Sequence, residues 1–96
     1  MKKFNSRNVA IVTGASEGMG FSISKSLSLS GFKVLMISRS KRKLKSAVKK
    51  INILGGDPSF LIGDVSNAKL PKKSIMKAKQ LGKICVLVNN TGGPKV

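Results

Sequence analysis

Four short runs of apolar residues recur along the chain, and each ends at glycine or polar residues. The runs are Val9-Ala10-Ile11-Val12, Val34-Leu35-Met36-Ile37, Phe60-Leu61-Ile62 and Ile84-Cys85-Val86-Leu87-Val88. Continuous apolar runs of this length are typical of strands that are buried on both faces of a parallel sheet. The pattern therefore predicts four such strands, with Cys85 as a small buried apolar side chain in the last of them.

Helices are predicted between the later runs. After the second run, apolar residues recur at helical intervals with lysines between them: Leu44, Ala47, Val48, Ile51 and Leu54. Ser40 can cap the start of this helix, and Gly55-Gly56 ends it. A weaker helix is predicted over residues 67–81, where Pro71 suits only the first turn.

Residues 18–30, which follow the first run, show two periodicities. Serine alternates with other residues over positions 22–30, which favours a strand. Met19, Ile23 and Leu27 recur every four residues, which favours a helix. We predict a helix, because glycines precede the segment and Gly31 follows it as a C-terminal cap. The small Ser22 and Ser26 would then let this helix lie close to the sheet.

The resulting order of elements is β-α-β-α-β-α-β, which predicts an α/β fold with a parallel sheet and right-handed crossovers. We expect one Rossmann-like, doubly wound domain over residues 1–96, with about four strands in the order 3-2-1-4 and helices on both faces. Ligands of such sheets bind beyond the carboxyl ends of the strands. Every unusual cluster in the sequence follows a strand: residues 14–20, Ser38-Arg39, Asp64-Val65 and residues 89–93.

The chain is strongly basic, with 19 Lys and Arg against 3 Asp and Glu among 96 residues and a net charge of +16. Such a charge attracts anions, including nucleic acid and phosphorylated ligands. Most of these cations fall on the two later helices, where a solvated face is the simpler interpretation. No aromatic residue lies among them to stack on a base, so nucleic acid is disfavoured as a partner.

The residue types exclude several kinds of catalytic and metal site. The sequence has no His, Tyr or Trp and a single Cys. A Ser-His-Asp triad, a Cys-His pair, a His-ligated metal and a multi-cysteine zinc site are therefore excluded, and we expect neither a catalytic residue nor a metal ligand in this chain. No apolar run approaches the roughly 20 residues of a membrane-spanning helix, so we expect a cytoplasmic protein without membrane contact.

The segment Thr13-Gly14-Ala15-Ser16-Glu17-Gly18-Met19-Gly20 joins the first strand to the first helix and has the composition of a phosphate-binding turn. A helix start offers unpaired N–H groups and the positive end of the helix dipole, and glycines let a phosphate approach the backbone. The segment is not a Walker loop, and Ile23 replaces the last glycine of a strict G-x-G-x-x-G pattern. We predict phosphate binding; a purely structural glycine turn is the alternative.

The end of the second strand determines which dinucleotide is expected. An acid about 20 residues after the glycine turn would bind the ribose 2′-hydroxyl, but Ser38-Arg39-Ser40 stands there instead. An arginine can bind a 2′-phosphate that a carboxylate would repel, so the sequence favours NADP (NADPH) over NAD. The alternative for Arg39 is an exposed cation without a ligand. Glu17 argues against NADP if its side chain points toward the same phosphate.

Three motifs, in this order and spacing, resemble the short-chain dehydrogenase/reductase family. Residues 13–20 resemble its T-G-x-x-x-G-x-G cofactor turn, and Gly63-Asp64-Val65 resembles its Asp-Val segment after the third strand. Asn89-Asn90-Thr91-Gly92 resembles its N-N-A-G motif, with Thr91 in place of the alanine. The resemblance extends from about Arg7 to Gly93 and implies an NADP-dependent oxidoreductase that acts on a carbonyl or alcohol substrate.

The resemblance also implies roles for individual residues. The implied cofactor-binding residues are Gly14, Ser16, Glu17, Gly18, Met19, Gly20, Ser38, Arg39, Asp64, Val65, Asn90, Thr91 and Gly92. Asp64 would bind the adenine amino group, with the Val65 backbone against the ring. Asn90 and Gly92 would line the adenosine ribose, and Asn89 would tie the fourth strand to its neighbours. A carboxylate that only caps the next helix is the alternative for Asp64.

The catalytic groups of the family are missing from this sequence. They are a Ser and a Tyr-x-x-x-Lys motif that follow the N-N-A-G segment, and this chain has no tyrosine. We therefore expect the N-terminal cofactor half of an oxidoreductase, without hydride transfer by itself. Two alternatives stay open: a small basic nucleic-acid-binding protein, and a non-catalytic nucleotide-binding module on the same scaffold.

In a sheet of order 3-2-1-4 the fourth strand is an open edge. Val86-Leu87-Val88 would then present unpaired backbone groups beside apolar side chains, which is a hazard for pairing and aggregation. We therefore expect marginal stability or self-association through this edge.

Overall fold

A computed structural model describes residues 7–64 and 66–90 of the chain. Its helices and strands are β1 (Arg7–Thr13), α1 (Gly18–Leu29), β2 (Lys33–Ser38), α2 (Lys41–Ile53), β3 (Ser59–Ile62), α3 (Leu70–Leu81) and β4 (Gly82–Val88). All strand pairs are parallel, in the order β3-β2-β1-β4. The predicted α/β fold and strand order are confirmed, and each strand contains its predicted apolar run. None of the described helices is long and apolar enough to span a membrane.

The sheet is buried on both faces, because helices cover each of them. On one face, α1 and α2 pack on a cluster that includes Val12, Met36 and Ile51, all fully buried. On the other face, α3 packs on a cluster that includes Ile11 and Leu35. The continuous apolar runs of β1 and β2 are therefore explained by burial on two sides.

Helix α1 confirms the helical interpretation of residues 18–30 and excludes the alternating strand. The prediction that Ser22 and Ser26 lie against the sheet is wrong, since both are exposed. The buried residues of this helix are instead Gly20, Ser24 and Ser28. They recur every four residues and form a narrow stripe of small residues. The buried Ser24 hydroxyl donates a hydrogen bond to the Gly20 carbonyl at 2.8 Å.

Side-chain hydrogen bonds of polar residues determine where the other two helices begin. Ser40 is the N-cap of α2, as predicted, and its Oγ accepts a hydrogen bond from the Lys43 amide at 3.3 Å. Helix α3 begins at Leu70 rather than at residue 67, because the Asn67 side chain accepts a hydrogen bond from the Lys69 amide at 2.9 Å and forms a separate turn. Pro71 lies in the first turn of α3, as predicted.

Removing the cap of α2 should weaken the fold by a small, measurable amount. We expect Ser40→Ala to lower the free energy of unfolding by about 1 kcal/mol, because the Lys43 amide loses its acceptor. The matched control is Ser46→Ala on the exposed face of the same helix, where alanine should be neutral or slightly stabilising. Urea unfolding compares the two; equal midpoints would contradict the capping role.

Cys85 lies in a β-bulge, which explains why its prediction as a buried side chain is wrong. Val9 of β1 pairs with Ile84, whereas the next residue, Ala10, pairs with Val86. Cys85 is therefore the extra residue of the bulge. The bulge places Ile84 on the α3 face and Val86 on the opposite face, and it leaves Cys85 exposed between them.

Strand β4 forms an edge of the described sheet, as predicted. Among the residues that the structure describes, it pairs with β1 alone, and the side chain of Leu87 beside its free edge is 65% exposed. An exposed apolar side chain on an edge strand favours pairing with another chain. Self-association and marginal stability stay predictions.

Candidate functional site

The glycine turn lies at the carboxyl end of β1 and is fixed to the neighbouring strand. Gly14 and Gly18 adopt φ angles of 59° and 60°, in the left-handed region that favours glycine. Between them, the buried Ala15 donates its amide to the Ile37 carbonyl of β2 at 3.0 Å. The turn is therefore positioned by the sheet, and its two left-handed glycines bring the chain from the strand into α1.

The start of α1 presents unpaired amide donors. Its first backbone hydrogen bond runs from the Phe21 amide to the Glu17 carbonyl at 3.3 Å, and the Glu17 side chain makes no capping bond. The amides of Gly18, Met19 and Gly20 donate to no acceptor within residues 7–64 and 66–90. Three unpaired N–H groups at the positive end of a helix dipole fit an anionic ligand such as a diphosphate.

Gly20 is required by a close approach of α1 to the end of β1. A Cβ at this position would overlap the Gly14 carbonyl oxygen and lie 2.7 Å from Nδ2 of Asn90. Asn90 Nδ2 itself donates to the Gly14 carbonyl at 3.2 Å. Backbone and side chain thus leave room for glycine alone, and they keep the helix start against the strand end.

Thr13 connects the end of β4 to the glycine turn. Its hydroxyl accepts a hydrogen bond from the Asn90 amide at 2.9 Å and donates to the Asn90 carbonyl at 3.0 Å. Oδ1 of Asn89 lies 3.3 Å from the same hydroxyl and is an alternative acceptor for its single proton, so the tie between Asn89 and the neighbouring strand stays a prediction. Asn90 is brought to the turn by these contacts and by its bond to the Gly14 carbonyl.

The ends of β1, β2 and β3 meet at Ser38. Its hydroxyl donates to the Ser16 hydroxyl in the glycine turn at 3.0 Å and accepts from the Ser40 amide at 3.3 Å. Its carbonyl accepts from the Gly63 amide at 3.0 Å. Together with the contacts of Asn90 to the glycine turn, these bonds bring together the described residues of all four clusters that the sequence placed at the carboxyl edge of the sheet.

Arg39 projects from the end of β2 into solvent. Its side chain is 81% exposed, and Nη1 lies 3.9 Å from Oδ2 of Asp64. An exposed ion pair at this distance contributes little to stability, so it does not commit the guanidinium to Asp64. Arg39 is accessible to an anionic ligand, and its alternative as a solvated cation stays open.

Asp64 is engaged mainly by its own turn. Its Oδ1 accepts hydrogen bonds from the Ser66 amide and the Ser66 hydroxyl, each at 2.9 Å. These two bonds, with a smaller contribution from the Arg39 charge, lower the pKa of Asp64 despite some desolvation. The carboxylate thus stabilises the turn that follows β3 and does not cap α3, whose N-cap is Lys69; the adenine contact stays a prediction.

The lowered pKa of Asp64 predicts the direction of a pH effect. Since the folded pKa lies below that of an unfolded aspartate, the carboxylate stabilises the fold above the unfolded pKa. This contribution is lost as the pH falls through the folded pKa. In urea unfolding, we therefore expect Asp64→Asn to be less stable than the native chain at about pH 6 and the difference to shrink on acidification.

A comparison with Ser66→Ala tests the cause of this effect. That variant removes the hydroxyl bond but keeps the larger contribution of the backbone amide, so it should raise the pKa of Asp64 only part of the way. A stability difference between the native chain and Asp64→Asn that does not change with pH would contradict the account.

Glu17 is bound by a residue that the sequence did not single out. Its two carboxylate oxygens lie 3.3 and 3.4 Å from Nζ of Lys43, in the first turn of α2. No periodicity or motif distinguishes Lys43 from its neighbours, because the pairing depends on how α2 packs beside the glycine turn. That Glu17 contacts the dinucleotide stays a prediction; in the structure its carboxylate pairs with Lys43.

The cations of the two later helices form solvated faces. On α2 the exposed residues include Lys41, Arg42, Lys43, Lys45, Lys49 and Lys50. On α3 they include Lys72, Lys73, Lys77 and Lys79. This agrees with the interpretation of these charge runs as helix faces in water.

Three of the predicted binding residues, Val65, Thr91 and Gly92, lie outside the described residues.

The sequence matches known oxidoreductases. The family model described as short chain dehydrogenase matches residues 8–96. Tropinone reductase-like 3 of Erythroxylum coca is 39% identical over 83 residues, which cover 85% of this chain and 32% of that protein. Carbonyl reductase (NADPH) 1 of Mus musculus is 36% identical over 91 residues, which cover 92% of this chain and 32% of that protein. This chain therefore spans only part of the length of these relatives.

Solved structures with bound dinucleotides have the same fold. A variant of actinorhodin polyketide ketoreductase with NADPH aligns with a TM-score of 0.85 and 29% identity, over 92% of this chain and 34% of that one. A metagenomic short-chain oxidoreductase in complex with NADP aligns with a TM-score of 0.82 and 32% identity, over 92% of this chain and 40% of that one. The family model matches nearly every residue, and the sheet has the strand order that the sequence predicted. This chain therefore belongs to the short-chain dehydrogenase/reductase family.

Proposed function

We propose that this chain is the NADP(H)-binding part of an oxidoreductase that acts on a carbonyl or alcohol substrate. The observation that carries the proposal is the start of α1. There, Gly18, Met19 and Gly20 have amides without an acceptor among the described residues, and a close contact with Gly14 admits only glycine at position 20. A diphosphate would satisfy these donors.

We assign the proposed binding roles by position along the carboxyl edge of the sheet. The proposed set is Gly14, Ser16, Glu17, Gly18, Met19, Gly20, Ser38, Arg39, Asp64, Val65, Asn90, Thr91 and Gly92. The turn amides would hold the diphosphate, Ser38 and Arg39 the substituted ribose, and Asp64 the adenine. When bound, NADPH would supply the hydride for reduction, and residues 1–96 would act as one binding domain.

The charges at the end of β2 support NADP over NAD. Arg39 is exposed there, and the charge of Glu17 is offset by Lys43. Asp64 keeps its charge, because its Ser66 donors are neutral, but its Oδ2 faces Arg39 at 3.9 Å. A 2′-phosphate bound at the end of β2 would therefore meet the guanidinium of Arg39. The two solved neighbours with NADPH and NADP are consistent with this preference.

Calorimetric titration with NADP⁺, NAD⁺ and a single-stranded oligonucleotide tests the proposal. We expect NADP⁺ to bind more tightly than NAD⁺ and to lose little affinity between about 0.1 and about 0.5 M salt, whereas oligonucleotide binding should fall steeply. Absence of NADP⁺ binding, or a salt dependence as steep as that of the oligonucleotide, would contradict it.

An activity assay accompanies the titration. The sequence has no tyrosine, so the phenolic acid of the family is missing from this chain. We expect no carbonyl-dependent oxidation of NADPH by the pure chain; clear oxidation would refute the proposed division between cofactor binding and catalysis.

A further inference from the structure

We propose that Lys43 is a specificity-determining residue: by neutralising Glu17, it allows the site to accept the 2′-phosphate of NADP(H). The inference rests on the proposed function and adds a residue to it from outside the glycine turn and the end of β2. Lys43 acts through Glu17 and is a positioning residue rather than a direct ligand of the phosphate.

The first step is the location of Glu17. The hydrogen bond between the Ser16 and Ser38 hydroxyls, at 3.0 Å, joins the glycine turn to the end of β2. Glu17 directly follows one of these serines, and Arg39 directly follows the other. The backbones of Glu17 and Arg39 therefore lie close to each other, and the charge of the Glu17 carboxylate contributes to the potential that a 2′-phosphate at Arg39 would meet.

The second step is the effect of an uncompensated carboxylate at this place. A phosphate carries up to two negative charges and is repelled by a neighbouring carboxylate. Glu17 is exposed, so water and salt would screen this repulsion but not remove it. NAD, which has a hydroxyl in place of the 2′-phosphate, would be affected much less.

The third step is the position of Lys43. Its Nζ lies 3.3 Å from one oxygen of Glu17 and 3.4 Å from the other. The backbone amide of Lys43 donates a hydrogen bond to Oγ of Ser40, the N-cap of α2, which holds this residue in the first turn of the helix. The Glu17 side chain does not cap α1, so it is free to turn toward α2 and pair there.

A double-mutant cycle tests this coupling with NADP⁺ and NAD⁺ as probes in calorimetric titrations. We expect Lys43→Met to weaken NADP⁺ binding about fivefold and to change NAD⁺ binding by less than about twofold. In a Glu17→Gln background, the same substitution should change NADP⁺ binding by less than about twofold, because no carboxylate remains to be neutralised. Lys43→Arg should restore native NADP⁺ binding.

Lys45→Met is the matched control. Lys45 is exposed on the same helix, and its loss lowers the net charge by the same amount. We expect it to leave the ratio of NADP⁺ to NAD⁺ affinity unchanged. Urea unfolding of each variant verifies that all of them are folded at the temperature of the titrations.

Two outcomes overturn the inference while the proposed function stands. Equal losses from Lys43→Met in both backgrounds would mean that Lys43 acts independently of Glu17, and equal losses from Lys43→Met and Lys45→Met would mean a general charge effect. If the native chain binds neither dinucleotide, the proposed function itself fails and the inference falls with it.

Discussion

A Gly20→Ala variant is expected to bind NADP⁺ at least about a hundredfold more weakly and to lose about 2–4 kcal/mol of unfolding free energy. The added Cβ would overlap the Gly14 carbonyl oxygen and crowd Nδ2 of Asn90. Because the obstacle is backbone, α1 must shift away from the end of β1. That shift moves the amides of residues 18–20, which are the proposed donors to the diphosphate.

Gly18→Asn is the matched control for this prediction. Gly18 has a φ of 60°, and a Cβ there would meet nothing within 4 Å. Asparagine tolerates the left-handed region, so we expect Gly18→Asn to lower the free energy of unfolding by less than about 1 kcal/mol. Urea unfolding and NADP⁺ titration compare the two variants. If Gly20→Ala is as stable as Gly18→Asn and still binds NADP⁺, the close approach is not a requirement of the site.

Arg39→Asp is expected to reverse the preference between the two dinucleotides, with a change of about a hundredfold in the ratio of NADP⁺ to NAD⁺ affinity. The substitution removes the proposed charge-assisted bonds to the 2′-phosphate and adds a repelling carboxylate. The same carboxylate can accept a hydrogen bond from the ribose 2′-hydroxyl of NAD. Titration with both dinucleotides measures the ratio.

Arg42→Asp separates this local effect from a change in net charge. Arg42 is exposed in the first turn of α2, and its replacement alters the charge of the chain equally. We expect it to leave the affinity ratio within about threefold of the native value. A ratio that also stays unchanged in Arg39→Asp would show that Arg39 is only a solvated cation.

The strands and the glycine turn could be predicted because their causes are local. A run such as Val34-Leu35-Met36-Ile37 fits burial on both faces of a parallel sheet, and all four side chains are buried. The left-handed Gly14 and Gly18 fall where the chain must turn from a strand into a helix. Ser40 likewise caps α2 with a side chain that is three residues from its partner Lys43 in the sequence.

The errors concern properties that depend on contacts between distant elements. The rotation of α1 is set by the contact of Gly20 with Gly14, so Ser24 rather than Ser22 is buried. The exposure of Cys85 follows from a register shift between β1 and β4, which the apolar run of β4 alone does not reveal. Similarly, the partner of Glu17 could not be chosen from many lysines without the packing of α2.

The most direct test of the central claim is an NMR titration of the isotopically labelled chain with NADPH. The claim is that the amides at the start of α1 bind the diphosphate. In about 0.5 M salt, we predict that the amide resonances of Gly18, Met19 and Gly20 shift on addition of NADPH. Shifts confined to the lysines of α2 and α3, which disappear in the same salt, would contradict it.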